Sequence, residues 1–154
     1  MALPDPDYYA PATAMDYAAV GLYSVALVTT AVALALLERL DAVRVHAVAR
    51  AALLGGAAGG IVAGVANFGE DWLGLSLLTW VYVGAVVIFS LGMVAAGLVL
   101  VARSRELRWI GALLIVPVLA PLLGHALGFS IGGTALLGCA ALLARSHATD
   151  RVLS

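Results

Sequence analysis

A short polar stretch at the end of an apolar run holds the side chains best suited to chemistry in this sequence. Asn67, Glu70 and Asp71 lie within five residues of one another, and the run before them carries no charge. A neutral imidazole beside carboxylates can bind a divalent metal ion or make a pH-sensitive contact. The topology derived below brings Asp16 and His125 to the same side of the membrane. We therefore predict an outer-face polar cluster with binding capacity, formed by Asp16, Asn67, Glu70, Asp71 and His125.

The same residues have a simpler interpretation, in which the acids cap or solvate a loop and the histidine bonds within a turn. Elsewhere, Cys139 is the only cysteine, so the sequence offers neither a disulfide nor a thiolate cluster for a metal. His46 and His147 lie near arginines and are interpreted as surface residues rather than haem ligands. No grouping of Ser, His and Asp indicates a hydrolase. We expect no enzyme activity and no cofactor.

The composition indicates the elements that must position these side chains. Of the 154 residues, 64% are hydrophobic and 11% are charged, whereas about 25% are charged in a typical soluble domain. The mean hydropathy is +1.08. Net charge is −1, which argues against a basic nucleic-acid-binding surface. The sequence therefore predicts a multi-pass membrane protein whose first partner is the lipid bilayer, with no nucleic-acid partner.

Four uncharged runs predict the spans, and the first two, 17–37 and 51–69, each match one crossing. The third has 31 residues and as one helix would measure about 46 Å, beyond a hydrocarbon core of about 30 Å. We place its crossing at 77–100 and treat 72–76 as an interfacial connection, because Trp72 suits the headgroup region. The fourth run covers 109–144.

This last run of 36 residues is too long for one crossing, at about 54 Å as a helix. It contains Pro117, Pro121 and several glycines, which favour a break at about 125–130 and helices over about 108–124 and 131–145. The predicted fold is an all-α integral membrane protein, a compact bundle of five transmembrane segments with the last two short. The alternative has three full spans and a final re-entrant helical pair.

Arginine placement predicts the orientation, since basic residues in short loops face the cytoplasm. With the N-terminus outside, all eight arginines fall inside. We predict a bacterial plasma-membrane protein with an extracytoplasmic arm (1–16), a helical bundle (17–145) and a cytoplasmic tail (146–154). The arginines are Arg39, Arg44, Arg50, Arg103, Arg105, Arg108, Arg145 and Arg151.

The second span carries small residues at intervals of four, which let helix backbones approach closely in lipid. This glycine zipper predicts that the span is the packing axis of the bundle. These glycines either pack helices closely inside one protomer, or they form a homo-oligomeric zipper or a pore lining. Trp80, Tyr82 and Phe89 of the third span are predicted to lie at the interface or to face lipid. The packing glycines are Gly55, Gly56, Gly59, Gly60 and Gly64.

The stretch from Asn67 to Trp72 combines an amide, a glycine, two carboxylates and an interfacial tryptophan. It resembles outer-loop segments of small, uncharacterised multi-pass membrane proteins from GC-rich bacteria. The resemblance covers the central third of the chain and implies no known activity.

Three classes of function remain open, of which the sequence favours a small accessory or scaffold protein acting through helix packing. Its partner would be a second copy or another membrane protein. Ion and proton pathways usually need an ionisable group within the bilayer, and here every acid and arginine lies at a span end. This placement makes a passive pore or solute carrier the less favoured alternative. The other alternative is a lipid- or metal-binding protein that uses the outer polar cluster.

Cysteine labelling in intact cells tests the predicted orientation. In a Cys139→Ser background, a cysteine replacing Ala10 should react with a membrane-impermeant maleimide. A cysteine replacing Ser104 should react only after permeabilisation, because it lies among the arginines assigned to the cytoplasm. The reverse pattern contradicts this orientation.

Overall fold

The computed structural model describes Pro11 and residues 13–119. This part of the chain is helical and contains no strand. Three of its helices, α1, α3 and α4, are long and apolar enough to cross a membrane, which confirms the prediction of helical membrane spans for this part of the chain. The predicted fifth segment, His125 and the tail at 146–154 lie outside the described residues. The helices are α1 (Ala14–Leu37), α2 (Asp41–Arg44), α3 (Ala47–Leu73), α4 (Leu78–Arg103) and α5 (Arg108–Leu119).

A capping box starts α1. Thr13 Oγ1 accepts the Asp16 backbone N–H at 3.2 Å, and the Asp16 carboxylate accepts the Thr13 N–H at 2.9 Å. Two backbone donors that the helix itself leaves unpaired are thereby satisfied. The acid predicted to join a binding cluster therefore fixes the first turn of α1.

The end of α3 differs from the prediction. Trp72 lies within the helix rather than in an interfacial connection, and the true connection is 74–77. The helix continues until Gly74, which adopts φ 67° and is followed by a Leu75 N–H that bonds the Gly69 carbonyl at 3.2 Å. A left-handed residue ends a helix, and glycine adopts that conformation without a Cβ clash. The helix thus includes Trp72 and Leu73, and the Trp72 side chain packs against α1.

The helices run antiparallel in sequence order, with α3 between α1 and α4 and with α5 against α4. All arginines in the described part of the chain consequently lie at one end of the bundle, here called the arginine end. There Arg50 of α3 pairs with Glu38 beyond α1, with Nε and Nη2 each 2.7 Å from Oε1. The acid is mostly buried whereas the arginine is 45% exposed, so we assign the pair at most about 1 kcal/mol.

Glycines of α3 bring its backbone into contact with α1. A Cβ on Gly60 would lie 2.9 Å from the Ala31 Cβ and 2.9 Å from two ring carbons of Phe89. One turn on, a Cβ on Gly64 would lie 2.9 Å from the Ser24 carbonyl oxygen. Real side chains do not approach so closely, so these positions admit only glycine unless the helices separate.

Glycines also set the contacts of α4 with its two neighbours. A Cβ on Gly59 would lie 2.8 Å from the Phe89 backbone nitrogen, and one on Gly92 would lie 2.6 Å from the Gly56 Cα. A Cβ on Gly97 would similarly lie 2.6 Å from the carbonyl oxygen of a glycine in α5, Gly111. At each of these helix–helix contacts the two backbones therefore lie against each other.

The prediction that Phe89 lies at the interface or faces lipid is wrong. Phe89 is fully buried and packs on the glycines of α3, whose lack of side chains leaves room for its ring. Gly55, a predicted packing glycine, is exposed, with open space around the position of a Cβ. It lies about 100° around the helix from Gly56 and faces neither α1 nor α4. Trp80, by contrast, is exposed, as predicted.

Replacing Gly60 by isoleucine should lower the free energy of unfolding by about 3 kcal/mol or more, because it overpacks the junction of three helices. The matched control, Gly55→Ile on the same helix, should cost less than about 0.5 kcal/mol. Reversible unfolding in mixed micelles measures both. Equal losses from the two variants would show that the junction does not limit stability.

Candidate binding site at the acidic end

The opposite end of the bundle is formed by the start of α1, the end of α3 and the start of α4, and we call it the acidic end. Asp16, Glu70 and Asp71 lie there. In residues 13–119 no arginine accompanies them. Any positive charge that neutralises these acids must therefore come from outside the described residues.

Asn67 joins α3 to α1. Its Nδ2 donates to the Ser24 Oγ at 3.0 Å, and both side chains are buried. Because Gly64, one turn earlier, holds the two backbones in contact, the short amide side chain can reach its partner. A polar group buried in lipid needs such a partner. The predicted ligand residue thus cross-links two helices.

Glu70 is a buried carboxylate, only 6% exposed. Thr79 Oγ1, on the first turn of α4, donates to Glu70 Oε1, and it also lies 2.8 Å from the Ser76 carbonyl oxygen. One hydroxyl proton cannot serve both acceptors at once. In the described part of the chain no other group donates to Glu70, so this acid has little compensation for its burial.

Aromatic rings surround the same end of α3. Trp72 Nε1 donates to the Tyr17 carbonyl at 3.2 Å, and the two rings meet edge to face with centroids 5.6 Å apart. Phe68, on the same helix, stacks on the indole at 5.0 Å. Further along, the Tyr82 hydroxyl donates to that of Tyr23 at 3.2 Å and so links α4 to α1. The contacts with Tyr17 hold the indole against α1.

Between these groups lies a half-open cavity of about 260 Å³, here called the acidic cavity. Two acidic residues and two aromatic residues are among those that line it. Carboxylates together with electron-rich ring faces attract cations. The residues that line it are Pro11, Tyr17, Glu70, Asp71, Trp72, Gly74 and Ser76.

A second depression, here called the apolar groove, lies between α1 and α3, next to the acidic cavity. It has a volume of about 450 Å³ and an almost wholly apolar surface. The two spaces adjoin at Trp72, whose ring lies 3.5 Å from the Cβ position of Gly21 in the groove and stacks on Phe68. The groove is lined by Gly21, Ser24, Val25, Val28, Thr29, Gly64, Val65 and Phe68.

The predicted five-residue cluster is only partly assembled within the described residues. Glu70 and Asp71 line one cavity, whereas Asn67 bonds Ser24 and Asp16 caps α1. His125 lies outside the described residues. In residues 13–119 no three side chains of the metal-binding types come together.

Sequence reasoning missed three residues that complete the site. Ser24 lies on the stripe of α1 that continues through Val28 and Ala31, which a helical wheel would have placed against the glycines of α3. Thr79 is separated from α3 only by the connection 74–77. Tyr17 contributes its carbonyl and ring, for which the sequence offers no specific signal.

The chain matches no protein-family model, no curated protein and no solved structure. The resemblance of its central third to other small multi-pass proteins therefore stays a prediction.

A double-mutant cycle tests the helix cross-link. Ser24→Ala and Asn67→Ala should each lower the free energy of unfolding. Their coupling should be about 0.6 kcal/mol and no more than about 1.7 kcal/mol, the mean and the maximum for hydrogen bonds between membrane helices. The control is Thr29→Ala, whose hydroxyl bonds the Val25 carbonyl of its own helix. Its coupling with Asn67→Ala should be near zero, and equal couplings would argue against the Ser24 bond.

Proposed function

We propose that this chain is a small accessory or scaffold protein of the plasma membrane that acts through helix packing and carries no catalytic site. Its partner is a second copy or another membrane protein. The observation that carries the proposal is a third face of α3, which neither α1 nor α4 covers.

This third face bears small residues like those that make contact on the other two faces. Ala51, Gly55, Ala58 and Val62 follow one another at intervals of four, three and four, and all are exposed. Gly55 has open space around its Cβ position. Small residues in register allow a further helix to approach closely in lipid, where dispersion and packing drive association. The helix of a partner protein would fit against this face.

The interior of the described bundle favours this role over a pore. Ala31, Gly60 and Phe89 meet at the middle of the three long helices, with ring and backbone in contact. The ionisable side chains of α1, α3 and α4 lie near the helix ends, apart from tyrosines. Selective pathways need polar or ionisable groups at depth, and the contacts at this level are apolar.

The proposal includes five crossings with the N-terminus outside. Two observations support it: the described arginines share one end of the bundle, and α5 starts there and runs back along α4. The 12 described residues of α5 rise only about 18 Å, so a full crossing requires residues beyond 119. A re-entrant pair is the alternative that the labelling experiment leaves open, because both topologies return the chain to the arginine side.

Cross-linking in native membranes tests the scaffold role. In a Cys139→Ser background, a cysteine replacing Ala58 and labelled with a photoactivatable benzophenone should form a covalent product on illumination, because this position lies on the exposed face of α3 and the reagent inserts into C–H bonds of any neighbouring chain. The matched control is a cysteine replacing Leu98, which is 57% exposed on α4, labelled in the same way, and it should not cross-link.

The mass of the product identifies the partner. Twice the monomer mass indicates a second copy, and a larger or intermediate mass that Gly55→Ile abolishes indicates another membrane protein. Native mass spectrometry should show the same species. A monomer alone, or equal cross-linking from both positions, contradicts the proposal.

A further inference from the structure

We propose that the acidic cavity and the apolar groove together bind one membrane lipid whose headgroup carries an ammonium group. The ammonium lies between Glu70 and the rings of Tyr17 and Trp72, and an acyl chain lies in the groove. This role is separate from scaffolding, because the residues involved are not those of the third face of α3.

The first step is the state of Glu70. The residue is only 6% exposed, yet within the described residues its side chain receives one hydrogen bond, from Thr79, and no ion pair. Glu70 also lines the acidic cavity. An ionised carboxylate in such a place is stabilised by a cation that enters the cavity.

The second step is the chemistry of the cavity walls. Tyr17 and Trp72 line the cavity, and Asp71 adds a second carboxylate. Recognition of alkylammonium groups uses aromatic residues together with negative charge. A small hydrated metal ion fits less well, because in residues 13–119 no third metal-binding side chain accompanies the two acids.

The third step is the position of the groove next to the cavity. A soluble amine would need only the cavity, whereas here an open apolar groove of about 450 Å³ lies beside it, between α1 and α3. Trp72 and Phe68 stack where the two spaces meet, and tryptophan side chains favour the headgroup level of a membrane. A ligand that fits both spaces has a charged headgroup and an apolar chain, as a membrane lipid does. The groove alone falls within the range of about 300 to 1,000 Å³ that ligand sites occupy.

Lipid titration of the purified full-length chain, followed by native mass spectrometry, tests this assignment. The probes are phosphatidylethanolamine, which carries an ammonium group, and phosphatidylglycerol, which shares the phosphate but lacks the amine. The wild type should bind phosphatidylethanolamine about tenfold more tightly, as expected when one charge-assisted hydrogen bond is made.

Variants separate the two halves of the site. Glu70→Gln keeps the size of the side chain and its acceptor for Thr79, and it should abolish the preference. Asp71→Asn should reduce it. Val65→Trp fills the groove from an exposed position and should weaken both lipids. The matched controls are Glu106→Gln, an exposed acid beyond α4, and Leu98→Trp on the exposed face of α4, and neither should change binding.

Four results would overturn the proposal. They are equal binding of the two lipids by the wild type, a preference that survives in both acid variants, full competition by free ethanolamine at concentrations comparable with the lipid, and displacement of the lipid by Mg²⁺ alone. The third result would assign a soluble amine site, and the fourth a metal site. If Glu70→Gln does not fold, Asp71→Asn and Val65→Trp still decide the outcome.

Discussion

The close approach of three helix backbones at the glycines of α3 is the contact on which the rest of the structure depends. Lipid removes the hydrophobic drive that would hold these helices together in water, so dispersion between closely packed atoms must replace it. At Gly60 the Ala31 methyl and the Phe89 ring both occupy space that any side chain would fill. The same contact fixes the register of α1 and α4 against α3.

The polar groups of the acidic end depend on that register. Asn67 reaches Ser24 because Gly64 allows α1 to lie against α3, and Glu70 reaches Thr79 because a short connection returns the chain directly beside the end of α3. Hydrogen bonds between membrane helices contribute modestly to stability. They act instead on specificity, since a shifted register would leave an amide and a carboxylate buried without partners.

The two ends of the bundle handle charge differently. At the arginine end, Glu38 and Asp41 have basic partners within 4 Å. At the acidic end, Glu70 is buried beside aromatic rings, and the described residues supply a threonine hydroxyl rather than a cation. A buried acid of this kind is costly. Its cost is understandable if the cavity beside it receives a positively charged group.

The sequence by itself determined the helical class, the membrane location and the approximate positions of three long helices, because uninterrupted apolar length follows directly from residue order. It also identified α3 as rich in close-packing residues. The predicted end of α3 was wrong, because Trp72 and Leu73 continue the helix and only Gly74, with its positive φ, ends it. The sequence also could not distinguish Gly55 from Gly56 as packing residues, because each belongs to a stripe of small residues spaced four apart.

Only the tertiary structure decided which stripe meets which helix. Gly56 faces α1 and α4 whereas Gly55 faces neither, and Phe89 is buried although the adjacent Ile88 is exposed. Periodicity defines the faces of a helix but not their partners. The same holds for the site: Asn67, Glu70 and Asp71 are close in sequence, yet helical geometry turns them about 100° per residue, so that Asn67 pairs with α1, Glu70 meets α4, and Asp71 lines the cavity between them.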